Sequence, residues 1–264
     1  MGPLSTFQYF DLMHAIAGFL VGLLVGLTGV GGGSLMTPVL VLIFGVNPQA
    51  AVGTDLLYAA VTKMGGSVVH GWRETVDWQI VRRLTTGSLP AACLTVAVLS
   101  QIGRVGKSTE QTILLVLGGM LILTSFAVLF QRKLALIARR REPLEPRRAM
   151  LSTVVLGAVL GVLVSISSVG AGAIGVTALL MLYPNLPMAR LVGTDIAHAV
   201  PLVLVAGFGH WLIGDVNGLL LSNLLVGSIP GVIIGSLISS RAKDAWLRVA
   251  LAAVMLVSGV KLLL

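Results

Sequence analysis

Long stretches almost free of charge are the feature that most limits the folds open to this chain. Residues 12–28, 89–99, 113–130, 150–164, 219–238 and 249–264 are apolar almost throughout and carry few charges or none. Several approach the roughly 20 residues that an α-helix needs to cross a hydrocarbon core. Hydrophobic residues make up 56% of the 264 and charged residues 11%, a balance that a water-facing surface does not support. A transmembrane barrel would alternate apolar and polar residues along each segment. The sequence therefore predicts an all-α, multi-pass integral membrane protein. Residues 1–13 contain no Lys or Arg, and 28–33 do not form a small-x-small cleavage site, so the first apolar segment is expected to stay as a helix.

The formal net charge is +8, yet the basic residues gather between the apolar runs, above all at 131–148. That is the distribution of a cytoplasmic loop and not of a nucleic-acid surface. Cys93 is the lone cysteine, so it forms no intramolecular disulfide and is expected to serve packing. Gly106-Lys107-Ser108 looks like the end of a phosphate-binding loop, but Gln101 stands where that motif needs glycine. None of His14, His70, His198 and His210 begins a His-Glu-x-x-His motif, and Gly-x-Ser-x-Gly does not occur. Catalytic residues, metal ligands and cofactors are accordingly not expected.

Sliding the sequence against itself by about 140 positions brings unusual residues together. Val52-Gly53-Thr54-Asp55 meets Val192-Gly193-Thr194-Asp195, His70 meets His210, and Gly87-Ser88-Leu89-Pro90 meets Gly227-Ser228-Ile229-Pro230. One residue out of phase, Gly29-Val30-Gly31-Gly32-Gly33 meets Ser168-Val169-Gly170-Ala171-Gly172. Apolar runs align by chance, but this set does not. The chain thus reads as two homologous helical repeats, 1–130 and 149–264, joined by a basic cytoplasmic linker at 131–148. Each repeat has a helix ending at a glycine cluster, a short apolar segment (34–45 or 173–183), two long helices and a final helix. The short segments are entered through glycines and left through prolines, as expected of half-helices or re-entrant segments that line a cavity.

Basic residues decide how the repeats are related. With the linker inside, an odd number of crossings per repeat keeps Arg73, Arg82, Arg83, Arg190, Arg241, Lys243 and Arg248 inside with it. An even number would move Arg190, Arg241, Lys243 and Arg248 outside, against the positive-inside tendency. Inverted repeats with both termini outside are the expectation.

Each glycine cluster lies just before a short helix, where free N–H groups and the helix dipole favour an anion. Gly31, Gly32, Gly33 and Ser34, with Ser168, Gly170, Ala171 and Gly172, are therefore candidate anion contacts. Gly18, Gly22 and Gly26 suit close helix packing instead. Asp55 and Asp195, each beside a threonine (Thr54, Thr194), are either proton carriers or helix caps. Lys63 has Val203 at its repeat position and is either an anion or Asp55 contact or a snorkelling lysine. His70 and His210, beside Trp72 and Trp211, suit proton handling or an interfacial belt. Ser165, Ser167, Thr28 and Thr37 are further hydroxyl candidates, although such side chains often bond backbone carbonyls.

The run from Gly22 to Ser34, with Pro38 and Ala51-Val-Gly-Thr-Asp55, resembles the sulfite exporter TauE/SafE family. Ser167-Ser-Val-Gly-Ala-Gly172, Gly193-Thr-Asp195 and Gly227-Ser-Ile-Pro-Gly231 resemble it again in the second half. The resemblance implies a bacterial inner-membrane permease for sulfite or an organosulfonate such as sulfoacetate. The second glycine cluster departs from the first by its serines and alanine. Together, residues and resemblance predict a secondary transporter, an exporter of a small sulfur oxyanion, working by alternating access with proton or voltage coupling. The alternatives are an anion channel or a permease for another small solute. Expected partners are the anion, the lipid bilayer and, as an option, further copies of the chain.

Overall fold

The computed structural model describes residues 11–28, 33–72, 74–102, 107–138, 140, 142, 144–238 and 244–264. Among them are ten helices: α1 Leu12–Thr28, α2 Gly33–Leu42, α3 Pro48–Trp72, α4 Trp78–Ile102, α5 Lys107–Ala138, α6 Pro146–Ser167, α7 Ala173–Leu182, α8 Met188–Leu212, α9 Gly218–Ile238 and α10 Asp244–Leu263. Six segments are long and apolar enough to cross a membrane: Trp78–Gln101, Glu110–Gln131, Pro146–Ser167, Met188–Leu212, Gly218–Ile238 and Trp246–Leu263.

Local chemistry sets the helix ends. Prolines 48 and 146 open α3 and α6, a position where the missing N–H costs nothing. Asp77 caps α4, its Oδ1 accepting from the N–H groups of Gln79 and Ile80, and Asn217 caps α9 by accepting from Leu220 N–H. The end of α6 is broken by Ser168 at φ 58°, Gly170 at φ 124° and Gly172 at φ 144°. The two glycines adopt backbone angles that side chains resist.

Small residues then fix which helices touch and in which direction. Gly18, Gly22 and Gly26 of α1 lie against the backbone of Leu224, Ser228 and Val232 in α9, while Gly227, Gly231 and Gly235 lie against Ala15, Phe19 and Leu23. Residue numbers rise together, so α1 and α9 run parallel. The close-packing expectation for the three α1 glycines holds. Likewise Gly157 and Gly161 of α6 meet Leu84 and Ser88, and Gly87 meets Val154, making α4 and α6 parallel.

The remaining pairs run antiparallel. Gly118 faces Gly259 and Leu263, and the Ser125 hydroxyl donates to the Ala252 carbonyl at 2.8 Å, which sets α5 against α10 in opposite directions. Thr54, near the start of α3, accepts from Asn217 N–H just past α8, and Thr194, near the start of α8, accepts from Asp77 N–H just past α3. So α3 and α8 are antiparallel too. One apolar core gathers α1, α2, α3, α5, α9 and α10 around Met36, Tyr58, Leu121 and Met255. A second gathers α3, α4, α5, α6 and α8 around Leu56, Leu160 and Leu202.

Helix α5 continues to Ala138, carried by a run of good helix formers over residues 131–138. One expectation needs revision. Cys93 is exposed and lines an apolar groove between α4 and α8 with Val96, Leu204 and Phe208 instead of packing internally.

Candidate functional site

Where α2, α3, α7 and α8 meet, the apolar interior gives way to buried charge. Asp55 is fully buried on α3. Its Oδ2 accepts from the Thr37 hydroxyl and, at 3.2 Å, from Thr37 N–H on α2. Its Oδ1 has no hydrogen-bond partner. Ser168, in the break after α6, lies beside this carboxyl without hydrogen-bond geometry, and its hydroxyl is likewise unpartnered.

Asp195 on α8 is 1% exposed, and neither of its carboxyl oxygens has a partner. It rests on Gly175 in the first turn of α7, where a methyl group would collide with Oδ1. Glycine here makes room for the carboxyl. The first half places a threonine against its aspartate and the second half a bare Cα, so the two acids have unlike surroundings.

Lys63 joins the halves. It lies two turns along α3 from Asp55, is 5% exposed, and its Nζ donates to the Ala171 carbonyl at 2.7 Å. Asp195, and more weakly Asp55, act on it electrostatically. A buried ammonium costs several kcal/mol by order of magnitude unless opposite charge and acceptors surround it. Here it has one carbonyl and shares two carboxyls, with no direct ion pair to either among the described residues. His198 of α8 completes the cluster. It is fully buried, its Nε2 lies 2.9 Å from the Ser88 hydroxyl, its Nδ1 is unpartnered, and Lys63 acts on it electrostatically. The matching bond on the other side is Tyr58 Oη to Ser228 Oγ at 2.6 Å.

A family model described as sulfite exporter TauE/SafE matches residues 14–262. The chain belongs to this family. It is 40% identical to the probable membrane transporter protein YjnA of Bacillus subtilis over 94% of this chain and 98% of that protein. It is 28% identical to a second B. subtilis probable membrane transporter protein, YdhB, over 93% and 97%. A Methanocaldococcus jannaschii probable membrane transporter protein, MJ0441, is 25% identical over 94% of each chain. No solved structure gives a significant match. This TauE/SafE chain is a multi-pass protein of a membrane-transporter family.

The structure brings together Asp55, Lys63, Ser168, Ala171 and Asp195 from the sequence candidates. Gly170 and Gly172 shape the break beside them. Gly31 and Gly32 lie outside the described residues; Gly33 opens α2 with Ser34 next, and the Ser34 side chain is outside them as well, as are those of Thr28 and His70. The hydroxyls of Thr54 and Thr194 are engaged by Asn217 and Asp77 backbone, so both tie helix ends. Ser165 and Ser167 donate to the Gly161 and Leu163 carbonyls. His210 is buried, and the neighbouring Trp211 is exposed.

Tyr58, Ser88, His198 and Ser228 were not legible as site residues from motif searching. The 140-residue offset carries the signal, because it pairs Tyr58 with His198 and Ser88 with Ser228.

Proposed function

We propose that this chain is a secondary transporter for a small sulfur oxyanion, sulfite or an organosulfonate such as sulfoacetate, in the bacterial inner membrane. The family supports the substrate class. The observation that carries the mechanism is Lys63, one buried cation placed between a carboxyl from α3 and one from α8 at the break before α7.

Charge counting gives the coupling. With both aspartates ionised and His198 neutral, the cluster carries a net −1 and repels an anion. A monoanion such as hydrogensulfite beside Lys63 leaves a neutral site only when both carboxyls hold protons, and with a dianion such as sulfoacetate the site then comes closest to neutrality, at a net −1. Proton and anion therefore enter and leave together, and the unpartnered oxygens of Asp55 and Asp195 are where the protons sit. Ser168, Ala171 and the N-terminus of α7 replace part of the anion's hydration. Gly33 and Ser34 at the start of α2 do the same, and Gly31 and Gly32, just before them in sequence, are candidates for the same contact.

The antiparallel α3–α8 and α5–α10 pairs, and the exchange of α1–α9 for α6–α4, fit two inverted repeats, 1–130 and 149–264, with α2 and α7 as re-entrant half-helices. In this arrangement the moving bodies contain helices from both repeats, because α1 is locked to α9 and α6 to α4 by interleaved glycines.

Proteoliposomes test the reading. Internal sulfoacetate or sulfite is expected to accelerate uptake of the labelled anion, with saturation, and uptake should rise when the external medium is acidified. A flux that never saturates and shows no trans-stimulation would identify a channel. Asp195→Asn fixes one site in its uncharged form, so its uptake should lose most of its pH dependence while exchange continues. Unchanged pH dependence in that variant would remove Asp195 from coupling.

A further inference from the structure

Near the end of α8 lies a second buried group able to hold a proton, one that the anion site does not use. His210 is 1% exposed, and both of its ring nitrogens face acceptors. Nδ1 lies 3.1 Å from Asp215 Oδ2, and Nε2 lies 2.9 Å from the Ser165 carbonyl. A carbonyl only accepts, so Nε2 bears a hydrogen. An ionised carboxylate only accepts, so Nδ1 needs one as well, and a neutral imidazole has a single N–H. The bonding pattern is that of an imidazolium paired with a carboxylate.

The position of Ser165 adds a second reason. Helix α6 stops at Ser167, so this carbonyl is among the last four, which lack intrahelical donors and form the negative end of the helix dipole. A cation belongs there. Gln49 Nε2 donates to the same Asp215 Oδ2 at 3.0 Å, which ties the start of α3 into the cluster. Three residues past Ser165 comes Ser168 and three further Ala171, the residues that meet Asp55 and Lys63.

We propose that the proton shared by His210 and Asp215 is a clamp on the end of α6: while it is bound, Ser168 and Ala171 are held in place for the anion, and when it leaves, anion affinity falls. The coupling half of this inference rests on the anion site proposed above. The facing groups are few. From α3 they are Gln49 and Gly53, with the Asp55 carboxyl directed to Thr37 instead. From α6 the group is the Ser165 carbonyl, from α4 Val96 lies on the adjacent Gly209, and Asn217 caps α9 beyond Asp215. Asp215 supplies the ionisable partner.

Nitrogen-15 spectra of histidine-labelled protein, with His210→Gln to assign the signal, test the proton directly. Both ring nitrogens of His210 should carry hydrogen at about pH 6, as the two facing acceptors require. A bare ring nitrogen at about pH 6 overturns the clamp. Sulfoacetate binding tests the coupling, since its charge is constant between about pH 6 and about pH 9. Wild-type affinity should weaken about fivefold or more across that range, the lower end of typical site-to-site coupling.

Asp215→Asn separates this from a structural ion pair. Its amide N–H can donate to a neutral His210 while Nε2–H still reaches Ser165, and Gln49 can turn its amide to accept the second hydrogen. Asp55 and Asp195 add the same alkaline loss of affinity in both proteins, so the clamp is read as the difference: across the range the wild type should lose at least about fivefold more affinity than Asp215→Asn, which lacks the proton that the coupling needs. Equal losses in the two proteins overturn the coupling. If wild-type protein binds neither sulfoacetate nor sulfite at any pH, the proposed function fails, and the nitrogen spectra still decide whether the clamp exists.

Discussion

Lys63→Met is expected to weaken binding of sulfite or sulfoacetate by about 100-fold or more, since truncating one member of a buried charge cluster typically costs about 2–5 kcal/mol. The methionine keeps much of the volume and flexibility of the lysine stem, so the loss measures charge and the bond to Ala171, not a cavity. It also strands two carboxyls in an apolar interior with nothing positive beside them among the described residues. Stability should fall in the single variant for the same reason. The double variant Lys63→Met, Asp195→Asn removes one charge of each sign and is expected to recover much of the thermal stability without recovering anion binding. Isothermal titration and thermal unfolding on the same detergent-solubilised samples read both quantities. Binding that survives Lys63→Met would move the anion away from this cluster.

Most of the fold was legible because the bilayer leaves so few solutions. Continuous apolar runs have to be helices, and glycines spaced four apart have to face a backbone, which is what Gly18, Gly22 and Gly26 do against α9. What the sequence does not reveal is which partner a side chain takes once the helices pack. Thr54 and Asp55 are adjacent, yet one hydroxyl reaches Asn217 across to the other half while the neighbouring carboxyl turns to Thr37. Thr54 and Thr194 looked like substrate contacts because they adjoin the acids; helix rotation of about 100° per residue sends them to different neighbours. His198 was overlooked since no motif surrounds it, and only its packing beside Lys63 and Ser88 makes it part of the cluster. Lys63 stands out in the sequence by its asymmetry, a charge aligned with Val203 at the 140-residue offset.

Gly227→Ala and Gly87→Ala are expected to lower the unfolding temperature and the yield of monodisperse protein, although alanine is the better helix former by about 1 kcal/mol. At Gly227 a methyl group would lie far inside contact distance of the Ala15 carbonyl oxygen, and at Gly87 far inside that of the Val154 carbonyl oxygen. Neither obstacle is a flexible side chain. Relief requires α1 to move off α9, or α6 off α4, and each such movement opens several further contacts along the same interleaved ridge. Overpacking of this kind costs about 1–3 kcal/mol and occasionally more, and rigid backbone places these two sites at the upper end. Gly119→Ala, in the middle of α5 with nothing near its Cα, is the control: propensity acts alone there, and stability should hold or rise slightly. Equal effects at all three positions would mean that glycine content, and not the α1–α9 and α4–α6 contacts, governs stability. A loss confined to Gly227 and Gly87 would show the two seams to be rigid, so that any motion exposing Lys63 to one side and then the other has to be a movement between them.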